Sequence, residues 1–251
     1  MESPSKPDIK LAQRVLPPAL FKALVRIFSQ NIKDCMLVGG TALSGFYAGH
    51  RRSDDIDLFV KSQPAFLQTV LAFKTLEKLK AEIKEAAHSQ QYFKAVCRLD
   101  NCNFTVDIVL DENLFKQGKF NLCGRRIAVA DLLTIFMMKS AALVSRCSEK
   151  DLYDLIWLFQ NLEGLKIPDI IASGKKIDAG LNPETLLYSV SSSQIRKEAC
   201  NFSLVPGFDN KKVYSLISKF KKSLVRGLHE YISNNTSSEL KAVIDRIKSF
   251  E

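Results

Sequence analysis

Apolar positions recur along the chain with two different periods, and the changes of period mark its organisation. After Pro17-Pro18, a pair suited to a helix start, Leu20, Phe21, Leu24, Ile27 and Phe28 follow helical spacing and predict a helix to about Gln30. Residues 35–38 form a short apolar run closed by Gly39-Gly40, which predicts a buried strand. Residues 41–49 then predict a short helix with Ala42, Leu43 and Phe46 on one side. Residues 55–60 predict a second strand. Phe66, Leu67, Val70, Leu71, Phe73, Leu76, Leu79 and Ile83 predict one long amphipathic helix over residues 64–87. Two strands follow, 91–99 and 103–110, and the Asp100-Asn101 pair between them fits a tight hairpin. Residues 125–129 predict another short strand.

From Asp131 onward the pattern is helical. Asp131 suits an N-cap for a helix to about Val144, and residues 150–162 predict a second. Val213, Leu216, Ile217, Phe220 and Leu224 form an apolar stripe, while Lys211, Lys212, Lys219, Lys221, Lys222 and Arg226 occupy the other faces of the same helix. The pattern therefore predicts an α+β fold, a mixed α/β sheet flanked by helices and followed by a C-terminal helical bundle. The expected organisation is a flexible lead-in over residues 1–16, a mixed domain over 17–161 and the bundle over 162–251.

Composition narrows the classes. The chain has 251 residues, 46% hydrophobic and 25% charged, which fits a folded protein with a sizeable core and excludes a disordered one. No apolar stretch is long enough for a membrane span and no secretory signal is visible, so a cytoplasmic protein is expected. The six cysteines include no CxxC pair and find no histidine at zinc spacing, so reduced thiols and no structural zinc are expected. A net charge of +9 is compatible with a polyanionic partner, but the excess is spread along the chain.

The chemistry concentrates in a few short stretches. In Asp54-Asp55-Ile56-Asp57-Leu58-Phe59, Asp55 and Asp57 share one face of a strand, with Cα atoms roughly 7 Å apart. Two such carboxylates repel each other unless a divalent cation neutralises them, and oxygen ligands of this kind suit magnesium. On spacing alone the pair also fits a solvated strand face. In the strand over 103–110, Phe104, Val106, Ile108 and Leu110 alternate to one side, and Asp107 falls on the other, between Thr105 and Val109. If this strand neighbours the first, Asp107 completes a three-carboxylate cluster. Gly39-Gly40-Thr41 ends a strand and opens a helix, a corner that lets a phosphate approach the backbone. It is neither a Walker A motif nor GxGxxG. His50-Arg51-Arg52-Ser53 leads into the acidic strand with groups suited to phosphate. Lys139 sits on an otherwise apolar helix, directed at an anion or paired with Asp154 on the next helix.

Taken in order, Gly39-Gly40-Thr41-Ala42-Leu43, then His50-Arg51-Arg52-Ser53-Asp54-Asp55-Ile56-Asp57-Leu58-Phe59, then Asp107, Lys139 and Lys150-Asp151-Leu152-Tyr153-Asp154-Leu155, this sequence resembles the AbiEii/AbiGii toxin family of nucleotidyltransferases, within the polymerase-β-like superfamily. The resemblance covers roughly residues 20–160. It implies Mg²⁺-dependent transfer of a nucleoside monophosphate from an NTP with release of pyrophosphate, two ions being expected. It implies a toxin of a toxin–antitoxin or phage-defence module, hence a cognate antitoxin, and an RNA acceptor such as the tRNA 3′ end. By the same resemblance Gly39, Gly40 and Thr41 would hold the triphosphate, with Arg52 and Ser53 nearby. Asp55, Asp57 and Asp107 would bind metal, Lys139 would meet phosphate, and Asp154 would be a further active-site acid. Thr41 stands where the superfamily commonly has serine and keeps the hydroxyl. A non-catalytic nucleotide-binding protein and nucleotidylation of a protein hydroxyl remain alternative readings.

Overall fold

Alternation in three consecutive strands determines where the core lies. In the computed structural model, which describes residues 6–124 and 126–234, β1 (Cys35–Val38) pairs antiparallel with β2 (Asp55–Val60), and β2 pairs in parallel with β5 (Cys102–Leu110). β5 runs antiparallel to β4 (Tyr92–Leu99), and β4 to β3 (Glu82–His88). On the other side β1 pairs in parallel with β7 (Ile127–Ala130), which carries β6 (Phe120–Cys123) as the edge. The result is a seven-stranded mixed sheet in the order β3-β4-β5-β2-β1-β7-β6.

Register aligns Phe93, Ile108 and Leu58 in one row across β4, β5 and β2, and Ala95, Val106 and Ile56 in the next; all six are buried. That face is covered by α2 (Pro18–Phe28) and α4 (Gln63–Lys74), with Phe73 of α4 edge-on to Phe93 at 5.5 Å between ring centroids. Because side chains alternate along a strand, Asp55 and Asp57 must stand on the opposite face. Burial inside this unit also pushes the Cys35 thiol up to about 12 and the Cys97 thiol up to about 11, so neither is a nucleophile at neutral pH. All six cysteines are free thiols.

The chain divides into two compact units, one ending at Ile135 and the other beginning at Phe136. The division falls inside α6 (Leu132–Ser145), earlier than the boundary after residue 161 expected from the pattern. The second unit contains the rest of α6 with α7 (Glu149–Asn161), α8 (Ile167–Lys175), α9 (Pro183–Ser192) and α10 (Asn210–Asn234), and no strand among the described residues. Its core runs through Phe136, Phe159 and Phe220, in edge-on and tilted contact at 5.9 Å and 6.0 Å between ring centroids; of the α10 stripe, Val213, Ile217, Phe220 and Leu224 are fully buried and Leu216 is half-buried. Residues 1–5, 125 and 235–251, which the lead-in, one predicted strand and the bundle partly include, lie outside the described residues.

Four local expectations are corrected. The helix expected over 64–87 stops at Lys74, passes through a 3-10 turn and a left-handed Lys80 (φ 63°), and becomes strand β3. β3 is an edge strand exposed along nearly all its length, so its Glu, Lys and Ala residues resemble a helix until pairing with β4 overrides propensity. The lead-in contains α1 (Ile9–Val15), started by the Asp8 carboxylate, which accepts from the Lys10 amide at 2.8 Å, and anchored by buried Ala12. The helix expected from Thr41 begins at Gly39 as α3 (Gly39–Leu43) and widens into a π turn over Ser44–Ala48, ended by left-handed Gly49. Finally, β6 and the short α5 (Glu112–Gln117) occupy a stretch whose pattern predicts neither. The hairpin at Asp100-Asn101 has φ of 47° and 61°, the left-handed pair a two-residue turn requires.

Leu58 fills the row directly beneath the acidic face and is completely buried. Leu58→Ala should lower stability by about 2–5 kcal/mol, because apolar side-chain burial is forfeited and a cavity remains. Urea denaturation followed by circular dichroism checks this; a cost under about 1 kcal/mol contradicts the packing described.

Candidate active site

The parallel register of β2 and β5 places Asp55 opposite Thr105 and Asp57 directly opposite Asp107. Thr105 donates its hydroxyl to Asp55 Oδ1 at 2.6 Å. One strand further, Lys94 is the cross-strand partner of Asp107 and reaches both its oxygens, at 3.1 and 3.2 Å. The Tyr92 hydroxyl also donates to Asp107 Oδ1. These hydrogen bonds with Asp107 raise Lys94 above its ordinary value, and burial together with the Asp107 hydrogen bond raises Tyr92.

β1 delivers the glycine corner to the same place. Val38 is paired with Asp57, and the chain then turns at Gly39 with φ 69°. A Cβ on Gly39 would lie 2.1 Å from Asp57 Oδ2, so only glycine lets the corner approach this carboxylate. A Cβ on Gly40 would meet Arg51 Nη2 at 2.4 Å and Ser53 Oγ at 3.0 Å. The Thr41 hydroxyl lies 2.9 Å from that of Ser53 and donates to the Asp55 carbonyl. Ser44 donates to the Arg51 carbonyl, and Arg51 Nη1 to the Arg52 carbonyl at 2.9 Å. Thr41 and Ser53 are thus buried braces between the corner and β2, and Arg52 is exposed. Arg51, which sequence alone leaves between a surface turn and a phosphate ligand, is buried against Gly40.

In the second unit Lys139 Nζ lies 2.8 Å from Asp151 Oδ1 and 2.7 Å from Asp154 Oδ2, with all three side chains almost wholly buried. Arg146 Nε and the Ser148 hydroxyl, at 2.8 and 2.6 Å, complete the Asp151 shell. Burial alone would raise the Asp151 carboxyl, but the charges and hydrogen bonds of Lys139 and Arg146 outweigh it and hold it well below the ordinary carboxylate range. The structure therefore gathers Asp55, Asp57, Asp107, Gly39, Gly40, Thr41 and Ser53 in one unit, and Lys139 with Asp154 in the other. Thr105, Tyr92 and Lys94 are partners that residue spacing did not single out, while Arg51 and Asp151 lie within the motifs that carry the resemblance but outside the site residues it implies. The period-2 pairs Tyr92-x-Lys94 and Thr105-x-Asp107 are the signal that, once strands are aligned, would find the first three. Among the described residues no group of three or more His, Cys, Asp or Glu side chains is gathered tightly enough to hold a metal ion, and no helix is long and apolar enough to cross a membrane.

The mixed sheet thus carries paired strand acids beside a glycine corner. The family described as nucleotidyl transferase AbiEii toxin, type IV TA system, matches residues 22–180. The chain belongs to this family, and it is a nucleotidyltransferase. It is 30% identical over 172 residues to the uncharacterized protein aq_aa25 of Aquifex aeolicus (strain VF5), covering 66% of this chain and 80% of that one. The nucleotidyltransferase toxin MenT4 of Mycobacterium tuberculosis H37Rv shares the fold at 12% identity with a TM-score of 0.50, covering 90% of this chain and 88% of MenT4. JHP933 from Helicobacter pylori aligns over 85% of this chain and 92% of its own, at 16% identity and a TM-score of 0.49.

Lys139→Met would leave two buried carboxylates without their shared cation, and should cost about 3–5 kcal/mol in urea denaturation. Because the folded-state Asp151 carboxyl is lowered, its stabilisation is full above the ordinary carboxylate range and is lost as pH falls below it. Acid unfolding of the wild type should be correspondingly steep and that of Asp151→Asn flatter; identical acid limbs contradict the assignment.

Proposed function

We propose that this chain moves a nucleoside monophosphate from an NTP to a hydroxyl of RNA, such as the tRNA 3′ end, as the toxin half of a module whose antitoxin restrains it. The observation that carries the reading is the in-register meeting of Asp57 and Asp107 beside Gly39. The donor set fits magnesium: it is all oxygen, and the missing Cβ of Gly39 leaves the Asp57 carboxylate facing a backbone corner. Asp55 and Asp57 would hold the metal, two ions in all, with Asp107 as the third ligand. Bound there, the ions would neutralise the triphosphate and make the acceptor hydroxyl more acidic.

The residues of the chain do the remaining work. Thr105 fixes one oxygen of Asp55, and the other would serve the metal. The backbone of Gly39, Gly40 and Thr41 would receive the triphosphate, braced by Ser53, with exposed Arg52 supplying charge. In the step itself the acceptor oxygen bonds to the α-phosphorus, the bond to the bridging oxygen breaks, pyrophosphate leaves, and the hydroxyl proton passes to Asp107.

For the RNA, α10 offers Lys211, Lys212, Lys219, Lys222 and Arg226 as cations on its solvent-facing sides. Lys221 is committed elsewhere: its ammonium donates to the carbonyls of Ser191 and Ser193 at the end of α9. Replacing Lys211, Lys212, Lys219 and Lys222 together by Ala should flatten the salt dependence of RNA binding, by about 0.7 in slope for each phosphate no longer neutralised. An unchanged slope removes α10 from the interface.

Incubation with Mg²⁺, each labelled NTP, total RNA and total cell protein tests the main reading. Label should enter RNA, and Asp57→Ala should reduce it by at least about a thousandfold while circular dichroism stays that of the wild type. Label in protein instead would establish protein nucleotidylation, and no label a non-catalytic role.

A further inference from the structure

Lys94, Asp107 and Asp57 are consecutive partners in one row across β4, β5 and β2, and all three side chains stand on the face opposite the core. Two carboxylates directly opposite on neighbouring strands repel each other. Lys94 offsets that repulsion by contacting both oxygens of Asp107, and Tyr92 donates to one of them. The oxygens that a divalent ion would need are therefore already taken by an ammonium and a phenol. Asp55 differs, because the group on its Oδ1 is the neutral Thr105 hydroxyl. Lys94 is also the more accessible member of its pair, with a side chain 40% exposed against 16% for Asp107. With solvent reaching the ammonium, the pair is one that a second cation can exchange.

We propose that Lys94 is a resident cation at Asp107 which a divalent ion must displace, so that the third carboxylate joins the metal site only when the ammonium swings out. The proposal rests on the reading that Asp55, Asp57 and Asp107 bind divalent metal. In the structure the third carboxylate is held by its own strand neighbours. Lys94 is in this sense a positioning residue, acting on metal affinity through Asp107.

Calorimetric titration of the full chain with Mn²⁺ alone, without nucleotide, tests it. Lys94→Met should bind Mn²⁺ about tenfold more tightly than the wild type, the size expected when one charge-assisted competitor is removed. Lys94→Arg, which keeps the competitor, should bind like the wild type, and Tyr92→Phe should show a smaller gain. In an Asp107→Asn background Lys94→Met should change nothing, because the contested carboxylate charge is gone. If Lys94→Met fails to fold, Lys94→Gln removes the charge and serves the same comparison. Should Asp57→Ala abolish Mn²⁺ binding while Lys94→Met leaves it unchanged or weaker, the proposal is overturned and the metal reading stands. Should Asp57→Ala bind Mn²⁺ as the wild type does, the metal reading fails and the proposal with it.

Discussion

The parallel pairing of β2 with β5 is the constraint on which the rest depends. With Asp57 opposite Asp107, Leu58 is opposite Ile108 and Ile56 opposite Val106, so one register both builds the acidic face and closes the core beneath it. A slip of one residue would bring Asp57 level with an inward-facing neighbour and turn either set of side chains to the wrong face. The burial of Ile56, Leu58, Val106 and Ile108 is thus what holds the acids in place, and the site inherits its precision from packing. β1 adds the third component, because its pairing with β2 ends at Val38–Asp57 and sends Gly39 past the carboxylate.

Much of this is legible in the sequence where local pattern and tertiary demand agree. The runs at Cys35–Val38 and Asp55–Val60 are strands with the bounds their patterns predict, because a closed apolar run and a strict alternation each leave little choice. The stripe of α10 is equally plain. β3 is not legible, since an edge strand with one partner and little buried surface has no alternation to display. α1 depends on a single cap and a single buried alanine, and the division inside α6 depends on tertiary packing rather than on any break in that helix.

The site divides along the same line. Asp55, Asp57, Asp107 and the glycine corner are candidates by spacing, assembled into one set by the resemblance. Their partners are not, because Thr105, Lys94 and Tyr92 acquire meaning only from which strand lies beside which. Arg51 and Arg52 are adjacent and chemically identical, yet one is buried against Gly40 and the other exposed, a distinction set by the turn and not by residue type. Lys139 illustrates the reverse: its apolar setting signals a buried charge, and the structure supplies two carboxylates for it.

The two lysine–carboxylate clusters show how burial decides what an ion pair can do. Around Lys139 the ammonium and both carboxylates are removed from solvent, so withdrawing one partner leaves an uncompensated ion and the cluster resists opening. Around Lys94 solvent reaches the ammonium, its release incurs little desolvation penalty, and water takes over the interactions it gives up. Similar pairs of opposite charge thus act as a fixed brace in one unit and an exchangeable partner in the other. The exchangeable one stands at the carboxylate directly opposite Asp57, where a second, stronger cation has most to gain by replacing it.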